Sequence, residues 1–386
     1  MDNELISKIK ELNLERKTVF SGSSPPEVFV GHYGYPNVYS GVLAPIQNGN
    51  TSKFSSPEKW FKQKLKIQQI VDYRTKLIYP RFKTNVHSSK QEISLVKPVA
   101  EIAMSGKSVS AEFTLKKPAT FSLVEEKSVP IIGNPASLKK IKLEENPKIE
   151  KAVDYIISDT KLKSSEAIKN LYESNQSISN IIKILSIGLL GIKEQRKMVP
   201  TRWAITAVDD TLSKNFLDKI KYYPEINEIR VFTSEYLGNH YEIILMPDTF
   251  SFEVIEISLK DNGLWTDHET IFGRKSYAND VTGAYYANRL AACEYLNEIR
   301  RQAKCIFLRE VRPEYSVPLG VGILREISRD AFSKYPEKFD SIESALKRIG
   351  ERLRQPVTNF TQHSVLLKEH GKQKKLNDFF ISAKKI

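Results

Sequence analysis

Hydrophobic and polar positions follow more than one period along this chain of 386 residues. Residues 92–96, 108–115 and 121–124 alternate and are rich in β-forming residues, which predicts strands of one antiparallel sheet. Residues 252–259 carry apolar side chains on both faces, so we expect a strand that is covered on both sides. These patterns predict that part of the chain forms sheets.

Other stretches have apolar residues three or four positions apart, which is the period of a helix with one buried face. This spacing predicts helices at residues 57–73, 281–303 and 319–332. The sequence from Asp340 to Glu343 is typical of a helix N-terminus, and beyond residue 356 the polar sequence predicts a disordered segment. We therefore expect an α+β protein with mixed sheets, helices, two closely associated regions and a flexible C-terminal tail.

The net charge of +13 limits the classes of partner that fit this chain. Such a charge attracts polyanions, which favours DNA as a partner. Adaptation to high temperature enriches a protein in basic and acidic residues together, which does not by itself produce a net charge. Here 59 basic residues exceed 46 acidic ones, so such enrichment does not account for the whole pattern. Two cysteines are too few for a disulfide framework or a cysteine-rich zinc site. With no apolar run of about 18 residues and no signal peptide, we expect a cytoplasmic, nucleoid-associated protein.

The C-terminal sequence carries a distinctive group of side chains in an otherwise basic stretch. A single helical turn would place Leu376, Phe379 and Phe380 on one side, with Gln373 free to enter a neighbouring pocket. This spacing resembles the clamp-interacting motif, or PIP box, in which Gln is followed by an aliphatic residue and an aromatic pair. The resemblance implies binding to the sliding clamp PCNA. The alternative is a C-terminal helix that docks on its own domain.

Five longer segments resemble the archaeal NreA DNA-repair protein family: residues 31–41, 185–191, 199–212, 283–291 and 309–321. The resemblance extends from about residue 25 to residue 355 and includes the C-terminal peptide. It implies a repair factor that uses the clamp. Some relatives carry a zinc ribbon near the N-terminus, but residues 1–30 contain no cysteine, so we expect no zinc ribbon in this chain.

The resemblance and the changes in composition together predict a division of the chain. We expect an N-terminal helix at 1–20, an N-terminal region at 21–262, a largely helical C-terminal region at 263–362, and a disordered tail at 363–386 that carries the clamp-binding peptide. The N-terminal region would contain a β-rich part at 21–145, a helical bridge at 146–192 and an α/β part at 193–262.

Acidic residues in two of these segments are candidates for catalysis. Asp209, Asp210 and Glu310 are carboxylates of the kind that hold Mg²⁺ or Mn²⁺, and such ions activate water against a phosphodiester. A metal-dependent nuclease, or another enzyme that processes nucleic acid, is therefore one hypothesis. The alternative is that these carboxylates form structural caps and ion pairs. No spacing matches a known nuclease motif, so enzymatic activity stays open.

Basic and aromatic residues are candidates for DNA contact. His32 and Tyr33 lie in a turn with Tyr35, where the rings could stack on bases. The alternative for this turn is a structural role, and the alternative for the basic residues is a solvated face. The candidate phosphate-binding residues are Arg74, Arg81, Lys83, Arg202, Arg309 and Arg312. The leading hypothesis is a clamp-recruited repair factor that binds DNA through a basic surface, and a further alternative is a non-enzymatic repair scaffold.

Overall fold

A computed structural model describes residues 18–90, 94–119 and 129–370 of the chain. The predicted N-terminal helix, the predicted strand at 121–124 and the clamp-binding peptide lie outside these residues, apart from residues 18–20. The chain forms two compact units. The first unit comprises Met1–Asn215 and Tyr315–Glu326, and the second comprises Phe216–Glu314 and Ile327–Ile386.

The first unit is built on a six-stranded sheet with the order β1-β5-β6-β4-β3-β2. Neighbouring strands are antiparallel except β4 and β6, which are parallel. The strand β5 alternates strictly between buried and partly buried residues, as its sequence predicted. The strands are β1 (Val19–Ser24), β2 (Glu27–Val30), β3 (Asn37–Pro45), β4 (Leu77–Asn85), β5 (Val109–Leu115) and β6 (Asn134–Leu143).

Helices with apolar faces pack against this sheet and complete the hydrophobic core of the first unit. The aliphatic side chains of Val99 and Ile102 pack with Val28, Val38 and other strand residues in one buried cluster. The helices are α1 (Pro57–Lys62), α2 (Ile67–Thr75), α3 (Val96–Met104), α4 (Lys151–Ser158), α5 (Ser164–Glu173), α6 (Ile178–Ser186) and α7 (Thr201–Ile220), with short 3-10 helices at Ser52–Phe54, Val86–Lys90 and Lys193–Gln195. The part of α7 beyond Asn215 belongs to the second unit.

The second unit contains another six-stranded sheet, with the order β10-β9-β11-β8-β7-β12. Here β9 and β11 are parallel and the other neighbours are antiparallel. All residues of β8 and β9 are buried, which confirms the prediction of a strand covered on both sides. The strands are β7 (Ile229–Tyr236), β8 (Asn239–Met246), β9 (Ser251–Ser258), β10 (Leu264–Glu269), β11 (Lys304–Val311) and β12 (Glu337–Phe339).

Helices supply the apolar side chains that bury both faces of this second sheet. On one face, Phe252 and Phe307 pack against aromatic rings that include Tyr285 and Phe332. On the other, Ile255 and Ile306 join a cluster with residues of the last three helices. The helices are α8 (Gly283–Glu298), α9 (Val321–Phe332), α10 (Ile342–Gly350), α11 (Thr358–Thr361) and α12 (Val365–Glu369), and α9 up to Glu326 belongs to the first unit.

Three predicted elements differ from the structure. Val96 begins helix α3, so the strand predicted at 92–96 is wrong where the structure describes it. The helix predicted at 57–73 is interrupted by Lys64, whose φ of 50° breaks it into α1 and α2. The disorder predicted beyond residue 356 is wrong up to residue 370, because Phe360 and Leu366 are buried in the second core. Among the described helices, none is long and apolar enough to cross a membrane.

Candidate nucleic-acid interface

The loop between β2 and β3 exposes aromatic side chains. Its ends are closed by a backbone hydrogen bond from the Gly31 N–H to the Tyr39 carbonyl at 2.8 Å. Within the loop, Gly34 has a φ of 79°, a conformation that glycine adopts without steric cost, and its carbonyl accepts the Asn37 N–H. The resulting tight turn leaves the Tyr33 side chain 83% exposed, and its ring is tilted against that of His32 with the centroids 4.0 Å apart. The loop therefore presents rings to solvent on a backbone that is fixed at both ends.

The first turn of α7 places a cation and an indole beside this loop. The buried Val30 N–H donates to Thr201 Oγ1 at 2.9 Å, which ties the end of β2 to the start of the helix. Arg202 follows, and its Nη1 donates to His32 Nε2 at 3.3 Å. Trp203 is exposed, and its ring centroid lies 5.2 Å from that of Tyr35. One buried hydrogen bond thus positions two side chains against the aromatic loop.

The outer face of β3 and β4 continues the same surface. Tyr39 pairs across the sheet with Lys83, and both side chains are exposed. The Arg81 guanidinium lies 4.3 Å from the centroid of the Tyr39 ring, a cation–π geometry. We name this set the aromatic–basic surface, and it consists of His32, Tyr33, Tyr35, Tyr39, Arg81, Lys83, Arg202 and Trp203.

Six residues of the aromatic–basic surface were candidates from the sequence: His32, Tyr33, Tyr35, Arg81, Lys83 and Arg202. Tyr39 was not among these candidates. Its signal was present, because Tyr39 alternates with the buried Val38 and Ser40 along β3.

Arg74 does not join this surface. Its side chain is buried on α2, and its guanidinium forms an ion pair with Glu27. The same guanidinium donates to the Ile131 carbonyl at 2.6 Å and to the Phe54 carbonyl at 3.1 Å. Because these partners occupy its donors and exclude solvent, the geometry argues against the phosphate-binding role predicted for Arg74.

Arg309 is likewise paired with protein groups inside the second unit. Its Nη1 lies 2.9 Å from Glu256 Oε1, and its Nη2 donates to Asn239 Oδ1 at 2.6 Å. Both the arginine and the glutamate are buried, so this pair links β11 to β9 within the sheet. A phosphate could reach this guanidinium only by displacing the glutamate, which argues against the predicted contact.

Arg312 and Glu310 form a second buried network at the end of β11. Arg312 Nε donates to Glu310 at 2.8 Å, and its Nη1 donates to Glu235 at 2.6 Å. The other oxygen of Glu310 accepts the Arg354 N–H at 2.9 Å. These contacts satisfy both carboxylate oxygens of Glu310 with protein donors, which leaves this residue poorly suited to the predicted metal site.

Asp209 and Asp210 lie in the middle of α7, in the first unit, whereas Glu310 lies in the second. Arg325 Nε and Nη2 lie 3.1 and 2.6 Å from the two oxygens of Asp209, and both side chains are buried. Asp210 instead pairs with Lys214 on the same helix at 2.6 Å. Within residues 18–90, 94–119 and 129–370, no group of three or more His, Cys, Asp or Glu residues could hold a metal ion. These residues therefore do not fit the predicted Mg²⁺ or Mn²⁺ ion.

The fold and the surface define the class of this protein: an α+β protein of two compact units with an exposed aromatic–basic surface. The chain belongs to the archaeal Nre family. Its residues 3–266 match the family's N-terminal model, described as archaeal Nre, N-terminal. Residues 269–379 match the model described as archaeal Nre, C-terminal. The family resemblance predicted from the sequence is therefore confirmed.

Named relatives extend over most of the chain. A protein of Archaeoglobus fulgidus named DNA repair protein NreB is 38% identical over 378 residues, which cover 96% of this chain and 93% of that protein. A second protein of the same organism, named DNA repair protein NreA, is 34% identical, and the matched residues cover 89% of this chain and 88% of that protein. DNA repair protein NreA of Haloferax volcanii is 30% identical, and the matched residues cover 92% of this chain and 88% of that protein. No solved structure matches the chain.

Proposed function

We propose that this protein is a DNA-repair factor that binds DNA through the aromatic–basic surface and is recruited by the sliding clamp PCNA through its C-terminal peptide. The observation that carries the DNA-binding part is the placement of exposed rings and cations side by side. Exposed aromatic rings stack on unpaired bases, and neighbouring cations contact the phosphates between them. The names of the relatives, which describe DNA repair proteins, support the same assignment.

The geometry favours unpaired bases over an intact duplex. Tyr33 and Trp203 project from a loop and a helix N-terminus, and a base must leave its stack to meet either ring. Single-stranded, damaged or branched DNA offers such bases, whereas a regular duplex presents mainly phosphates and groove edges. We therefore expect stronger binding to single strands and junctions than to duplexes of equal length. This activity would place the protein at the nucleoid in the cytoplasm.

The clamp-recruitment part depends on the Gln373, Leu376, Phe379 and Phe380 spacing, which lies outside the described residues. The described part of the chain ends at His370, shortly before this spacing begins. Leu366 is buried in the second core, and the Val365 N–H donates to Glu253 at 2.7 Å. These contacts fix the chain to the second unit just before the peptide. Clamp binding then requires only that the peptide does not pack on that unit.

The DNA-binding part is tested by the salt dependence of binding to a labelled single-stranded oligonucleotide. We compare the wild type with Arg81→Ala/Lys83→Ala and with Lys139→Ala/Lys140→Ala, which removes two exposed lysines from β6 of the same sheet. If Arg81 and Lys83 neutralise phosphates, the slope of log K against log salt should become shallower by about 0.7 for each phosphate that is no longer neutralised. The control should change the slope less.

Two outcomes would contradict the DNA-binding part. Equal slopes for the two double variants would mean that the charge is not focused on this surface. Absence of binding to any DNA at low salt would leave a non-enzymatic scaffold as the function. Neither outcome bears on the clamp peptide, which is tested separately.

A further inference from the structure

The first unit contains a recess of about 380 Å³ that is separate from the aromatic–basic surface. Its walls come from β2, α1, α6 and the first turns of α7 and α9. This volume suits a small ligand, since ligand pockets measure roughly 300–1,000 Å³. The recess therefore requires an explanation that the proposed DNA contacts do not give.

Lys183 of α6 lines the recess and has an unusual environment. Its Nζ donates to the Ser105 carbonyl at 2.9 Å, and it forms no ion pair with any residue that the structure describes. Burial lowers the pKa of Lys183 to about 7, although the nearby carboxylates of Glu27 and Glu58 partly oppose this change. The neutral form of this amine, which is the nucleophilic form, is therefore more populated near pH 7 than that of an exposed lysine.

The carboxylates around Lys183 already have other partners. Glu27 forms an ion pair with Arg74. Glu58 accepts hydrogen bonds from Ser179 Oγ at 2.7 Å and from Ser56 Oγ at 3.1 Å. Because neither carboxylate is a dedicated counter-ion, the lysine is held in a mixed polar site rather than in a closed ion pair.

The amide of Asn180 gives an independent indication of a ligand. This residue lines the recess and is only 8% exposed. Its Nδ2 donates to Gln176, but its Oδ1 is buried and accepts no hydrogen bond from any residue that the structure describes. An unpaired buried acceptor is costly, so a ligand that donates a hydroxyl or amino hydrogen would be stabilised there.

We propose that the recess binds an aldehyde or a ketone and that Lys183 attacks its carbonyl carbon to form an imine. Acidic residues such as Glu58 and basic residues such as Lys107 both line the recess, and this mixed lining suits a polar carbonyl compound. A hydroxyl group on the same compound would supply the hydrogen that Asn180 Oδ1 lacks. The proposal does not depend on DNA binding, since a free carbonyl compound would react in the same way.

The reaction balances without any further reagent. The Lys183 nitrogen forms a bond to the carbonyl carbon, and proton transfer to oxygen gives a carbinolamine. The hydroxyl group then accepts a proton and leaves as water, while the nitrogen lone pair forms the C=N bond of a protonated imine. Glu58 borders the recess and is the candidate group for relaying that proton.

The carbonyl compound has two chemical sources. One is a free hydroxyaldehyde or hydroxyketone. The other is the ring-opened aldehyde of an abasic deoxyribose in DNA. Residues of the recess and of the aromatic–basic surface are near neighbours in sequence: Phe29 and Thr201 line the recess, and His32 and Arg202 belong to the surface. An imine at that sugar would acidify its neighbouring C–H bond, so that loss of the proton expels the 3′-phosphate and breaks the strand.

The test is reductive trapping on the full-length protein. Sodium borohydride delivers hydride to an imine carbon and converts it to a stable secondary amine. One arm uses glycolaldehyde, and the other uses a single-stranded oligonucleotide with one abasic site. Peptide mapping by mass spectrometry then measures the modification of each lysine near pH 7. We expect Lys183 to be modified at least about tenfold faster than Lys59 and Lys107, which also line the recess but are exposed.

The variants and the two arms separate the outcomes. Lys183→Met should lose the fast adduct, whereas Lys107→Met should keep it. Trapping of glycolaldehyde alone supports the site with a free ligand, and trapping of abasic DNA as well supports the DNA-borne source. Mapping of the wild-type protein is decisive even if Lys183→Met does not fold. Modification of Lys183 no faster than of Lys59 and Lys107 in both arms would overturn the proposal.

Discussion

The guanidinium of Arg325 holds both carboxylate oxygens of Asp209 in a buried pair, with Nη2 2.6 Å from Oδ2 and Nε 3.1 Å from Oδ1. The two residues lie 116 positions apart in sequence but within the same compact unit, where they join α9 to α7. The pair gives Asp209 a structural role that the sequence left as one of two alternatives.

Breaking this pair on one side should destabilise the protein strongly. Asp209→Asn leaves the Arg325 charge buried without a counter-ion, so we expect a loss of about 3–5 kcal/mol in the free energy of unfolding. Asp210→Asn is the control, because its pair with Lys214 is partly exposed and should be worth about 1 kcal/mol or less. Urea denaturation measures both. Similar losses for the two variants would contradict the structural role of Asp209.

Removing the most exposed ring of the aromatic–basic surface should weaken binding to single-stranded DNA. Tyr33→Ala should cost about 1–2 kcal/mol, or roughly five- to thirtyfold in Kd, if the ring stacks on one base. Tyr155→Ala is a matched control, because Tyr155 is 79% exposed in the same unit but lies on α4. Fluorescence anisotropy with one oligonucleotide measures both variants. An equal effect of the two substitutions would exclude stacking at Tyr33.

The clamp peptide should act independently of the folded units. Phe379→Ala/Phe380→Ala removes two of its three apolar side chains, and we expect loss of co-elution with PCNA in size-exclusion chromatography. Affinity for single-stranded DNA and the thermal unfolding midpoint should remain those of the wild type. Lys384→Ala/Lys385→Ala is the control that reduces charge without removing an aromatic ring. Unchanged co-elution of the double phenylalanine variant would refute the motif.

The carboxylate of Glu253 should make stability depend on pH. It accepts hydrogen bonds from the Ser364 hydroxyl and from the Val365 and Leu366 N–H groups. Burial raises the pKa of Glu253, and these hydrogen bonds only partly offset that rise. Because the folded state holds the proton more tightly, the resulting stabilisation is full below the unfolded pKa and disappears as the pH rises through the folded pKa.

Glu253→Gln cannot titrate, so it should remove this contribution. Urea denaturation from about pH 4 to pH 7 should show a steeper fall in the free energy of unfolding for the wild type than for Glu253→Gln. Glu298→Gln, at an exposed position, is the control and should keep the wild-type slope. A wild-type slope in Glu253→Gln would show that this carboxyl does not control the effect.

The sequence predicted those features that depend on local pattern. The two-sided apolar character of residues 252–259 indicated a covered strand, and β9 is buried along its whole length. The Gly34 turn and its rings were also visible, because glycine and aromatic residues in a short loop have a direct conformational meaning. The family resemblance followed from uninterrupted segments and was confirmed by both family models.

Features that depend on distant partners were not predictable. Charge alone does not distinguish a solvated arginine from one paired inside the protein, so Arg74, Arg309 and Arg312 were candidates until their carboxylate partners were located. The short helices α11 and α12 were missed for a similar reason. Each has one strongly buried apolar residue, and their order comes from tertiary packing and the Glu253 contacts rather than from helical propensity.

Because α12 is anchored in the second unit, only a short connection joins that unit to the C-terminal peptide. Only two residues separate His370, the last described residue, from Gln373. A fully extended chain spans at most about 3.5 Å per residue, so Gln373 lies within about 11 Å of His370. A clamp bound at this peptide would therefore lie close to the second unit.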